Sequence, residues 1–306
     1  MNTVKKEYIE KDSNIQQCVP KLVSEEGGDR ADVVSIDSVI IKNFKKWMRR
    51  NNLEDSTIES YIRTIKDYKK KYKTVSKNSL LAYRLYLIDN YNPRTANQRI
   101  CAINKYLEYI NKKTLKLKHI RIQTRPYLEN IISKNDYRYF IRCLKKEGAT
   151  KVYFLVKFIA CTGVRPSELV KFRVDHVESG WMDIYSKGGK IRRIYIPEKL
   201  QKEAIEWIHS ESMESGTIFK NKDGQTITTR GVNKLLKEYA AKTRIPLETV
   251  YCYSFRHFFA KSFLEKNNNL LLLADLMGHS SIETTRIYSR LTAREQREII
   301  SKTVDW

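Results

Sequence analysis

The stretch SFRHFFAKSFLEKNNNLLLLADLMGHSSIETTRIY, residues 254–288, decides how the rest of the chain is read. It carries Arg256, His279 and Tyr288 in order, on helical segments joined by a Gly-His turn. Upstream, Arg165 stands in TGVRPSEL and Lys187 in YSKGGKIRRIYIP. There, Trp181 to Tyr185 and Ile191 to Ile196 alternate as short strands about Gly188-Gly189, a strong hairpin signal. Two arginines, a lysine and a histidine can surround one phosphate, and a tyrosine can attack it. A phosphodiester repels anionic nucleophiles, so a site that breaks one has to neutralise the charge that grows on the non-bridging oxygens. An arginine fork presents paired donors to those oxygens, which a lysine does not imitate. A tyrosine hydroxyl, with an ordinary pKa of about 10, has to lose its proton before it attacks. The set points to phosphoryl transfer on a nucleic acid backbone.

Composition agrees. Of 306 residues, 58 are Lys or Arg against 35 Asp or Glu, a formal net charge of +23. An excess of that size implies a polyanionic partner, since each neutralised phosphate releases counterions. The basic residues run through both halves, interleaved with 19 tyrosines, which favours DNA over a membrane surface. No stretch approaches the roughly 20 apolar residues needed to span a bilayer, and the N-terminus has no signal-peptide core. The five cysteines, Cys18, Cys101, Cys143, Cys161 and Cys252, form no CxxC pair and no Cys/His cluster. A scattered, odd set fits reduced thiols in a cytoplasm and argues against both a disulfide framework and structural zinc.

Residues 1–34 are polar and aperiodic and read as a mobile arm. Four helices follow within residues 35–118, a module of roughly eighty residues. Val39, Ile40, Phe44, Trp47 and Met48 share one face of the first, and Asp55-Ser56 offers an N-cap for the second, which carries Ile58, Tyr61, Ile62, Ile65 and Tyr68. Leu80, Leu81, Tyr83, Leu85, Tyr86 and Leu87 mark the third; Pro93 and Thr95 open the fourth, with Ile100, Ile103, Leu107 and Ile110. No strand is evident there. The basic stretch from Lys112 to Pro126 reads as a connection, with residues 119–126 as the linker proper, and residues 127–306 as a mostly helical second domain with a small antiparallel sheet. After Tyr288, the tail from Ala293 to Trp306 reads as an amphipathic helix with Ile299, Ile300 and Trp306 as its apolar contacts.

Singly, each candidate has a plainer account. Arg165 could be an i,i+3 ion pair with Glu168, Lys187 turn decoration, and Arg256 and His257 surface residues at a helix start. His279 could satisfy backbone groups after a C-capping Gly278, and Tyr288 could be a core aromatic. Jointly they do not reduce to this. The pieces TGVRPSELVKFRVDHV, SKGGKIRRIYIP, SFRHFFAKSFL and LADLMGHSSIETTRIY resemble, in order and interval, those of the tyrosine recombinase/integrase family. The likeness covers about residues 38–304, and its overall pattern is most similar to transposon-encoded recombinases that resolve co-integrates in Gram-positive bacteria.

The resemblance implies a fold that is mainly α, with an N-terminal four-helix, SAM-like core-binding domain and a catalytic domain gripping opposite faces of a duplex. It implies that Tyr288 attacks the scissile phosphate to give a 3′-phosphotyrosyl bond and a free 5′-hydroxyl, and that strands exchange through a Holliday junction. Arg165, Arg256 and His279 would hold the phosphate, Lys187 would act as general acid, and Glu168 would orient Arg165. The covalent link conserves the phosphodiester energy, so no cofactor is called for, neither ATP nor metal. The partners implied are double-stranded DNA bearing a specific recombination site and a homotetramer on two such sites, with the terminal helix docking in a neighbour. Many family members carry histidine three residues before the second arginine; Tyr253 stands there in this chain. A phenol can donate to phosphate but is a poor base near neutrality. Residues Leu270 to Leu291 also resemble a helix-turn-helix with a capping box from Ser280 to Glu283, so a repressor without chemistry is a rival, as is a type IB topoisomerase.

Overall fold

The computed structural model describes residues 34–122, 130–185, 191–279, 281–289 and 293–304. The arm at residues 1–33, Lys187, the Gly188-Gly189 turn, Ser280 and Trp306 lie outside the described residues. The chain divides into two compact units between Thr124 and Arg125.

In the first unit, helices α1 (Ser38–Arg50), α2 (Asp55–Lys71), α3 (Lys77–Asn90) and α4 (Pro93–Tyr109) enclose one core. Their starts follow local chemistry. Asp37 caps α1 by accepting from the Ile40 N–H (2.6 Å), and Asn92 caps α4 from Thr95 while Pro93 sits in the first turn. Asp55 is not a cap: α2 begins on Glu54, and Asp55 in the first turn pairs with Arg49 at 3.3 Å. The inward face of α1 is Ile41, Phe44 and Met48, while Val39 is 62% exposed. On α3, Leu80, Tyr83 and Leu87 are buried but Leu81 and Leu85 face solvent, as a 3.6-residue period requires when only one stripe is covered. Phe44 meets Tyr106 edge-on at 5.2 Å, and Tyr68 meets Tyr83 likewise at 5.0 Å. The periodicity gave no hint of the two-residue antiparallel pair β1 (Val34–Ser35) and β2 (Thr74–Val75), too short to show alternation.

The stretch from Lys112 to Ile122 is tied to α4 rather than spanning freely. The Asn104 amide bonds both the N–H and the C=O of Leu117 (2.8 and 2.9 Å), and the Asn97 amide does the same for Ile120 (2.7 and 2.8 Å). Leu117 is thereby seated in the first core.

The second unit comprises α5 (Lys134–Lys146), α6 (Thr150–Thr162), α7 (Pro166–Leu169), α8 (Val174–Ser179), β3 (Trp181–Tyr185), β4 (Ile191–Tyr195), α9 (Glu198–Ser210), α10 (Thr229–Ala240), α11 (Cys252–Asn267), α12 (Leu270–Met277), α13 (Ile282–Arg286) and α14 (Ala293–Thr303). The β3–β4 pair is antiparallel, in register from Trp181↔Tyr195 to Tyr185↔Ile191. Helix α6 is apolar nearly all round and buried on nearly every side, as such a helix must be. It ends at Gly163, left-handed at φ 65°, and delivers Arg165 two residues later. α11 packs along α6, and its Phe255 stacks on Phe140 of α5 at 6.2 Å. Ile299 and Ile300 of α14 are exposed.

Candidate functional site

The C-terminal end of α12 organises the site. Its last carbonyls have no partner within the helix. Each is taken by a different arginine: Leu276 O by Arg192 Nη1 (3.0 Å), Met277 O by Arg256 Nη2 (2.8 Å) and Gly278 O by Arg165 Nη2 (2.6 Å). The negative end of the helix dipole thus holds three guanidinium groups that would otherwise repel one another. The helix stops where it does because Gly278 turns left-handed at φ 61°. A Cβ there would lie 2.6 Å from Arg192 Cδ, so the glycine is needed for the approach as well as for the turn.

Glu168 ties this cluster together. Its carboxylate accepts from Arg165 Nη1 (2.9 Å) and from the Arg165 backbone N–H (2.8 Å), and it pairs with Arg192. Burial pushes the Glu168 carboxyl up, but the Arg165 backbone bond and the Arg192 and Arg165 charges outweigh it and hold it below the usual range. Arg256 is 2% exposed and also donates to Gly163 O at the end of α6. Burial, with Arg165 nearby, brings it down to about 10, which leaves it charged near neutrality. Three guanidinium groups against one carboxylate leave surplus positive charge in a half-dry place, the setting in which an anion is bound strongly.

His279 follows the glycine. Its Nε2 lies 3.1 Å from Arg256 Nη2 and its Nδ1 2.7 Å from Thr285 Oγ1. Since arginine only donates, Nε2 accepts and the proton is on Nδ1, donated to Thr285. Burial and then the Arg256, Arg165 and Arg192 charges lower His279 to about 4, so the ring is neutral at pH 7. It stacks on Tyr288 at 6.2 Å between centroids. Tyr288 is 5% exposed in a 3-10 turn after α13, its ring packed with Ala260, Leu273 and Met277. Burial raises its pKa, opposed by Arg256 and then Arg165.

Of the residues expected from the sequence, Arg165, Glu168, Arg256, His279 and Tyr288 come together here. Tyr253 stays apart from this bonding: it is 50% exposed on the first turn of α11 and its hydroxyl makes no hydrogen bond among the described residues. One turn further on, His257 Nδ1 lies 3.1 Å from the Tyr288 hydroxyl oxygen. The sequence reading gave His257 no role and overlooked Arg192 and Thr285. Arg192 carried a usable signal, since on β4 it shares the inward face with Ile194. An arginine at an inward strand position needs a buried partner. His257 and Thr285 carried none beyond closeness in sequence to Arg256 and Tyr288. α12 is followed by the short α13, whose cap is Ser281 rather than Ser280, the Ser281 hydroxyl accepting from the Glu283 N–H (3.3 Å).

The phage integrase family model matches residues 130–295, more than half of the chain. Among curated proteins, the chain is 24% identical over 277 residues to tyrosine recombinase XerA of Pyrococcus furiosus, covering 88% of this chain and 95% of that one. It is also 24% identical over 275 residues to the TnP I resolvase of Bacillus thuringiensis, covering 82% and 94%. Among solved structures, a lambda integrase tetramer bound to a Holliday junction matches with a TM-score of 0.66 at 13% identity, over 82% of this chain and 76% of that one, a likeness of fold. With the match spanning Arg165, Arg256, His279 and Tyr288, the chain belongs to the phage integrase family, that of the tyrosine recombinases.

Proposed function

We propose that the chain is a site-specific DNA recombinase in which Tyr288 attacks the scissile phosphate and is left in a 3′-phosphotyrosyl bond, with a 5′-hydroxyl released. The observation that carries this reading is the buried surplus of guanidinium charge beside a buried tyrosine hydroxyl. Arg165 and Arg256 each use only part of their five N–H donors on protein carbonyls and Glu168, leaving others for the non-bridging oxygens. His279 Nε2 accepts from Arg256 Nη2 and so holds that guanidinium at the phosphate. Lys187 protonates the leaving 5′-oxygen, and the exposed Tyr253 donates to the phosphate. A strand from the partner duplex then reverses the attack, and repetition on the second pair of strands passes through a Holliday junction.

A homotetramer on two DNA sites is the assembly this chemistry needs, and the lambda integrase neighbour is such a tetramer on a junction. The exposed Ile299 and Ile300 on α14 suit a helix that docks on a neighbouring copy. The likeness to a resolvase favours co-integrate resolution or integration and excision of a mobile element. Among the described residues no helix is long and apolar enough to cross a membrane, which is compatible with action on cytoplasmic DNA. A repressor would have no use for Arg165, Arg192 and Arg256 converging beside Tyr288. A type IB topoisomerase would relax supercoils without paired sites.

The test is a nicked suicide duplex carrying the recombination site, incubated with wild type and Tyr288→Phe. A proteinase-sensitive covalent band from wild type alone is expected. Tight binding with no covalent band would sink the recombinase reading in favour of the repressor.

A further inference from the structure

The Tyr288 hydroxyl has to lose a proton, and burial makes that harder. Tyr253, standing where the family often has histidine, is exposed and makes no bond to Tyr288 among the described residues. His279 is committed at both nitrogens, to Arg256 and to Thr285. The Glu168 carboxylate is shared between Arg165 and Arg192. His257 is different: its Nδ1 lies 3.1 Å from Tyr288 Oη, with ring centroids 5.3 Å apart. That is the distance at which a general base has to stand.

We propose that His257 is the general base of this recombinase, taking the Tyr288 proton on Nδ1 as Oη attacks phosphorus. The inference rests on the reading of Tyr288 as nucleophile. In the Nε2–H tautomer, Nδ1 accepts the hydroxyl proton while an Oη lone pair forms the O–P bond. The P–O5′ bond breaks, its electron pair goes to O5′, and that oxygen takes a proton from Lys187. His257 is left as imidazolium and returns the same proton to Oη when the incoming 5′-hydroxyl displaces the tyrosine.

In the free protein burial, and after it the Arg256 charge, holds His257 down to about 4, which makes it a reluctant base. A phosphodiester docked on Arg165 and Arg256 brings a negative charge that offsets the second of these causes and favours the imidazolium. DNA binding therefore makes His257 a better base than it is in the free protein, where the tyrosine stays protonated. The charged and titratable groups that face His257 here are Arg256 beside it on α11, Tyr288 on the 3-10 turn, and His279 after α12.

The experiment is single-turnover cleavage of a nicked suicide duplex by the full chain as wild type, His257→Ala, His257→Gln and Tyr288→Phe. His257→Ala is expected to form covalent adduct about 10²–10³-fold more slowly. Its DNA affinity should stay within about twofold, and added imidazole should raise its rate. His257→Gln can accept a hydrogen bond but keeps no proton, so it should stay slow, which separates proton transfer from positioning. A 5′-bridging phosphorothiolate, whose sulfur leaves without a proton, should not restore either variant. Wild-type rates in His257→Gln, or an Ala variant unresponsive to imidazole, would overturn the assignment. An adduct formed by Tyr288→Phe, or none by wild type, would overturn the nucleophile reading and this inference with it.

Discussion

Among the described residues Glu168 is the carboxylate that pairs with Arg165 and Arg192, and its removal is the most damaging single change within the cluster. Glu168→Ala leaves Arg165 and Arg192 desolvated without their counter-charge, a loss of about 3–5 kcal/mol for a buried pair broken on one side. The urea midpoint should fall accordingly, and covalent-adduct formation should fall with it. Thr285 acts more finely, by holding the proton on His279 Nδ1 at 2.7 Å. Thr285→Val removes that acceptor and should slow adduct formation about tenfold, the worth of one buried hydrogen bond, with DNA binding unchanged in a gel shift. Tyr253→His introduces the residue more usual at that position and should preserve or raise the single-turnover cleavage rate. A collapse of the rate with the fold intact would count against the alignment of Tyr253 with that position. At this scale the sequence showed which residue types the chemistry needs. It did not show which nitrogen meets which oxygen, because that depends on side chains from α11, α12 and the 3-10 turn arriving together.

At the scale of elements, the end of α12 is the part on which the others depend. Gly278 and Gly148 are both left-handed, at φ 61° and 63°, but a Cβ on Gly148 would meet nothing within 4 Å, whereas one on Gly278 would strike Arg192. Gly148→Ala should therefore show only the backbone cost of about 1–2 kcal/mol. Gly278→Ala should lower the thermal midpoint further and, by displacing Arg192 from Leu276 O, depress cleavage, which Gly148→Ala should leave alone. The comparison of the two variants isolates the contact from the turn. The four helices of the first unit and the β3–β4 pair were legible from spacing, a short-range property, whereas α7, α8 and α9 were not read. The helix faces were read less well. Val39, Leu81 and Leu85 fit an apolar stripe on paper yet face solvent, because the covered width of each helix is set by its neighbours.

For the whole molecule, the net charge of +23 and the half-buried His257 and His279 govern the response to solution conditions. If binding neutralises several phosphates, affinity should fall with salt at about −0.9 in log–log slope per contact, and a flat response would count against backbone binding. His257 and His279 both titrate near 4 in the fold against an ordinary 6.5. Between those values the unfolded chain binds more protons, so stability should be level above about pH 6.5 and decline as pH falls toward 4. The urea midpoint followed against pH checks this, and the double variant His257→Gln/His279→Gln should show a shallower decline.

Sequence alone determined the fold class, the four helices of the first unit and the β3–β4 pair, because periodicity is written within a few residues, and it offered Arg165, Lys187, Arg256, His279 and Tyr288 by their order and intervals. Tertiary structure decided what lies between those residues. Tyr253 and His257 are one turn apart on the same helix, and the sequence pointed to Tyr253. Only the docking of the 3-10 turn against α11 puts His257, and not Tyr253, at hydrogen-bond distance from the nucleophile's oxygen. Arg192 likewise became part of the site only because β4 runs beside the end of α12, where unpaired carbonyls and Glu168 offset the cost of burying a guanidinium.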